Sequence, residues 1–239
     1  MALLSIVRIV HIAIGVVAFV VLPVPLIARK GSKRHVSFGR VYAWAMGALA
    51  VTGVPLAARG LYFHDPARRA NALFLFFIAL LASDTAWTGI RALRADRNPS
   101  PCGSALDLLA PSMLLAGSLG LGALGLARGV VLHVFFALLG SLLALGQLSY
   151  WRRAPRTRAD AIVMHIGGMG VSSITTLTAF LVTNARHVFH LGAFNVFVWT
   201  TPAVLGAIAI GVAQRTWRAR LTPPTTARLQ EVPQTPRVP

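Results

Sequence analysis

The chain has 239 residues, of which 56% are hydrophobic and only 12% charged, and its formal net charge is +17. Soluble domains carry about a quarter charged residues, so this composition excludes an ordinary soluble enzyme. A bilayer core takes roughly 20 apolar helical residues to cross, and runs of that length recur along nearly the whole chain.

In chain order the apolar runs are 2–27, 40–58, 70–91, 105–127, 129–151, 158–184 and 190–214. They predict an all-α polytopic transmembrane bundle of about seven helices over 1–214. A basic, Pro- and Thr-rich tail, 215–239, has too little apolar content to fold and is expected to be disordered. The first run is too long for a cleavable signal, and its basic cluster (Arg29, Lys30, Lys33, Arg34) follows it, which predicts a retained helix. Most basic residues lie after the first, third and fifth runs and in the tail. The remainder, Arg8, Arg59, Arg68, Arg69, Arg128 and Arg186, fall on the opposite side. The positive-inside rule then predicts an outside N-terminus and a cytoplasmic C-terminus, in an inner (plasma) membrane. The second run, short and interrupted by Pro55, and the minimal link between the fourth and fifth runs are the weak points of that alternation.

The basic residues are expected to meet anionic lipid headgroups rather than nucleic acid, because no basic patch carries interleaved aromatics. Other partners would be subunits of a membrane complex or a second copy of the chain. Cys102 stands alone, which excludes an internal disulfide, a CxxC zinc site and a thiolate-bound cluster. The only lysines, Lys30 and Lys33, lie in a connection, so no retinal Schiff base is available. A phosphate-cradling loop with lysine, an HExxH motif and a serine-nucleophile elbow are all missing, and six acids leave carboxylate-based hydrolysis without machinery. Glycines such as Gly117, Gly122, Gly167 and Gly168 predict close helix packing, and Pro111 and Pro202 predict local opening of their helices.

Polarity buried in a membrane is where function is sought. Asp84, in the third run, lies about 10 Å from the basic edge at 1.5 Å per residue, with Thr88 one turn on. His165, in the sixth run, lies at the same depth. The two are expected to face each other, the carboxylate holding one imidazole nitrogen and freeing the other for a ligand or proton. Met169, Ser172 and Thr176 continue the His165 stripe. At the opposite end, Arg8, His11, His133, His187 and His190 form an outer group. His11 and His133 could clamp a heme b iron or contribute to a metal site, and Gly15, in line with Arg8 and His11, leaves room for a flat ligand. Asn195, Trp199, Pro202 and Gly206 share a face of the seventh run, where Asn195 is expected to bond across helices.

Several of these residues fall into ordered motifs. They are His11-x3-Gly15; His35-x3-Gly39-Arg40-x-Tyr42; His165-x3-Met169 followed by Thr178-Ala179-Phe180-Leu181 and Asn184; and Trp199-x2-Pro202-x3-Gly206-x3-Ile210. Together they resemble the bacterial multi-pass membrane proteins catalogued as domain of unknown function 2306, over most of the chain. Val36 departs from that pattern, where a basic residue is expected. The resemblance implies an architecture without an established activity and singles out His11, His35, Arg40 and His165. Two histidine levels also look like transmembrane b-type cytochromes, an analogy of fold. The outer pair would be His11 and His133; the inner pair, His165 with His35, is the poorer because His35 comes from a connection. Three functions follow: a redox protein binding heme or quinone through these histidines, a proton-coupled small-molecule transporter using Asp84 and His165, or a non-enzymatic accessory subunit.

Overall fold

The structure, a computed structural model, describes residues 2–62, 65–97, 103–153, 156–188, 190, 192 and 194–222. The helices are α1 (Ala2–Val21), α2 (Pro23–Ile27), α3 (Lys33–Leu61), α4 (Pro66–Arg97), α5 (Ala105–Arg128), α6 (Val131–Arg152), α7 (Arg158–Val188) and α8 (Val196–Leu221), and no strand occurs among the described residues. Seven segments are long and apolar enough to cross a membrane, the first being α1 and α2 taken together. The chain is an all-helical, multi-pass membrane protein.

Local chemistry moves three boundaries away from the sequence expectation. Ser32 caps α3, its hydroxyl accepting from the His35 amide at 3.3 Å. The second span therefore starts at Lys33 rather than at 40, and His35 is helical rather than part of a connection. Asn195 caps α8 by accepting from the Phe197 and Val198 amides. Its side chain is thus spent at a helix start and does not bond across helices in an apolar run. At the other end α8 continues to Leu221, so 215–221, assigned above to the tail, are helix. Arg218 supports that extension through an ion pair with Asp160, 3.2 Å away. Residues 223–239, His64 and Cys102 lie outside the described residues.

Helix α4 is central, packing against α3, α5, α6 and α7, while α7 reaches α1, α4 and α8. More than half of α4's apolar window, 56%, is buried, against 6% for α8. Ile6, Ile9, Ile12 and Val16 on α1, and Val204, Leu205, Ile208 and Val212 on α8, point outward, as a surface in hydrocarbon requires. The α4–α7 approach depends on glycine. A Cβ on Gly168 would collide with the Thr85 carbonyl oxygen and lie 2.9 Å from the Gly89 Cα. Without a hydrophobic drive between helices in lipid, such backbone proximity supplies dispersion contact directly.

The helices alternate in direction, which gathers the connections into two ends. At the basic end, His35 meets His165, the Gly103 amide donates to the Trp151 carbonyl at 3.0 Å, and Arg218 meets Asp160. At the opposite end, Arg128 donates to the Pro66 carbonyl at 2.7 Å.

Candidate functional site

The four acids whose side chains are described divide cleanly. Asp65 accepts from the Ala67 amide at the start of α4. Asp107 closes a capping box with Ser104 at the start of α5 and takes both arms of Arg91, at 2.8 and 2.7 Å. Asp160 accepts from the Thr157 amide and hydroxyl, and from Arg218, at the start of α7. Each lies where unpaired helical N–H groups and the positive dipole end favour a negative charge. Asp84 is mid-helix, 4% exposed, and neither carboxyl oxygen makes a hydrogen bond of good geometry.

What surrounds Asp84 is polar but otherwise occupied. Gln147 faces it from α6 and is itself buried. The Gln147 carbonyl accepts from the Thr88 hydroxyl at 2.7 Å. Positions 84, 88 and 91 fall on one face of α4 by the 3.6-residue period. Asp84, the Thr88–Gln147 pair and the Arg91–Asp107 ion pair therefore form a column from the interior toward the basic end. Arg91 is 28% exposed at its side chain and Asp107 1%.

His165 does not pair with Asp84. Its Nδ1 lies 2.9 Å from the Gly89 carbonyl oxygen, on the side of α4 that faces α7. A carbonyl only accepts, so Nδ1 carries the proton and donates, and in the neutral ring Nε2 keeps its lone pair. His35 repeats the arrangement from α3, with Nδ1 2.9 Å from the Pro25 carbonyl oxygen. The two rings come together edge to face, centroids 6.3 Å apart. This inner pair, the poorer one by sequence, is the one that the fold assembles. Lys30 lies beside it, donating to the Pro25 and Leu26 carbonyls at 2.9 and 2.7 Å at the end of α2; burial holds its amine below the usual lysine range.

The outer pair is not assembled. His11 Nδ1 lies 2.8 Å from the Thr52 hydroxyl of α3. Thr52 sends its own proton to the Ala48 carbonyl, so the imidazole is the donor. His133 is 1% exposed and stacks on Phe74 of α4 at 5.2 Å, its Nδ1 without a partner. Helix α4 stands between them, since Gly53 beside His11 packs on Ala79 of α4. His11 and His133 are thus committed to different neighbours, Thr52 and Phe74, and do not form a facing pair. Arg8 and Arg40 are exposed rather than turned into the bundle. The side chain of His187 lies outside the described residues, and His190 is exposed.

The hydroxyl stripe on α7 is explained by Tyr42 of α3. Its buried hydroxyl bonds Ser172 at 3.0 Å and Thr176 at 2.9 Å. Trp199, 2% exposed, packs among Phe74, Phe136 and Phe194. Sequence reasoning passed over Gln147 and the Arg91–Asp107 pair. A lone Gln in the apolar run of α6, and the Ser-x-x-Asp spacing at Ser104, were the available signals. Among the described residues, no group of three or more His, Cys, Asp or Glu is arranged to hold a metal ion. Compared with known protein families, curated proteins and solved structures, the chain matches none.

Proposed function

We propose that the protein is a proton-coupled membrane transporter for a small molecule, with Asp84 as the group that takes up and releases the proton. One observation carries this reading. Asp65, Asp107 and Asp160 each serve a helix start, whereas Asp84 is buried mid-helix with no hydrogen bond of good geometry and only the Gln147 amide facing it. An ionised carboxylate left in that setting is costly, which suits Asp84 to take up and release a proton. Retaining it there as packing glue would require the hydrogen bonds that it lacks. Thr88 and Gln147 are positioned to donate hydrogen bonds to its carboxylate once the Thr88–Gln147 bond opens. No other charged group described faces Asp84; the nearest along α4's polar face, Arg91, is already committed to Asp107. In this reading His165 has no part in the proton site. Orientation follows the positive-inside rule, with the basic end cytoplasmic, the N-terminus outside and the protein in the plasma membrane.

The test is infrared difference spectroscopy on protein reconstituted in liposomes, combined with currents driven by a pH gradient across a panel of small organic solutes. A carboxyl stretch that titrates in the wild type should vanish in Asp84→Asn, together with the currents, while the detergent-solubilised variant elutes as the wild type does. A folded Asp84→Asn that keeps both signals sinks the proposal.

A further inference from the structure

The basic end holds a second arrangement that the proton site does not use. His35 and His165 arrive from α3 and α7, each with Nδ1 donating to a main-chain carbonyl, from Pro25 and Gly89 respectively. Among the described residues neither Nε2 has a hydrogen-bond partner. Fixing the tautomer through a carbonyl bond on one nitrogen is how a ring is prepared to offer the other to a metal. Two imidazole nitrogens sharing a metal at about 2.0–2.1 Å bring their ring centres to roughly 5–6 Å, so the 6.3 Å found here calls only for side-chain adjustment.

Met169 stands one helical turn from His165 on the same face, its side chain packed at the edge of the Tyr42–Ala82–Ala86 cluster. Met169 packs against the same glycine, where a Cβ on Gly89 would be 3.1 Å from the Met169 amide nitrogen and 3.3 Å from its Cγ. Its thioether sits on an unbranched, adaptable side chain.

We propose that His35, His165 and Met169 form a binding site for a soft monovalent metal ion, copper(I) being the member of that class. The donor set decides the class. Two neutral imidazoles and a thioether suit copper(I), whereas hard cations need oxygen ligands. Charge decides the valence. No carboxylate accompanies the pair, and the Lys30 ammonium stands beside it. A divalent ion would find no counter-charge, while a monovalent one meets half the repulsion from Lys30. The site is independent of Asp84, which lies on another side of α4.

The experiment is a competition titration of the full chain in detergent, carrying Cys102→Ser to remove the one thiol, against a coloured copper(I) chelator under reducing, anaerobic conditions. The wild-type histidines should withdraw one copper(I) per chain. His35→Ala or His165→Ala should each weaken binding by more than about 100-fold, since a direct ligand counts for more than the 10–100-fold typical of its supporting partner. Met169→Leu, which keeps the packing, should weaken it by about tenfold, and zinc(II) should bind more weakly than copper(I) by at least the same factor. Elution volume and helical circular dichroism identify variants that have not folded; His165→Gln then replaces His165→Ala. Any of three results overturns the proposal: no copper(I) withdrawn by the parent, unchanged binding in a folded His165 variant, or zinc(II) bound as tightly.

Discussion

Toward α7, helix α4 presents Thr85 and Gly89, whose carbonyls meet Gly168 and His165; toward α5 and α6 it presents Asp84, Thr88 and Arg91. The first side is held by bare backbone contact and one imidazole bond. The second is polar over the same length. The contrast teaches that polar side chains are not required for close approach, since the tightest contact is backbone against backbone with a single imidazole bond. The polar side of α4 therefore needs a reason besides cohesion. That reason is at hand for Arg91 and Thr88, which have partners, and not for Asp84.

Substitutions on the two sides sharpen this difference, and thermal unfolding in detergent ranks them. Asp107→Ala should cost most, about 3 kcal/mol, because it leaves Arg91 unpaired and opens the α5 cap at once. Gly168→Val should cost about 2 kcal/mol by forcing α7 away from α4. The His165 ring proton signal in NMR should shift with it, as the bond to Gly89 lengthens. Thr88→Val should cost about 1 kcal/mol by stranding the buried Gln147 carbonyl. Asp84→Asn should be nearly silent, within about 0.5 kcal/mol, since no bond is lost. If Asp84→Asn proves as destabilising as Asp107→Ala, Asp84 is structural cement and the two sides of α4 differ less than described.

The seven spans were legible because hydrophobic run length is a one-dimensional property, and depth along a helix is nearly so. Asp84 was legible for the same reason, as an acid inside an apolar run. Azimuth was not. His11 and His133 share an end of the bundle but turn toward different helices, and Asp84 and His165 share a depth but meet different sides of α4. A one-residue step rotates a side chain by about 100°, so which residues face each other depends on packing that no spacing reveals. Helix starts were recoverable in part. Ser104 with Asp107 and Thr157 with Asp160 carry the capping spacing, and Ser32 and Asn195 are cap residues by type. Reading Ser32 as a cap would have carried His35 into a helix and improved the inner pair.

The bond from His165 to the Gly89 carbonyl has a mechanical consequence. It joins two helices whose contact there is mostly backbone and small residues, so it acts as a detent against sliding. A displacement of one residue along the axis, about 1.5 Å, would disengage it and carry the His165 ring relative to His35. The spacing between the two imidazoles is thus a gauge of the axial register of α7 against α4.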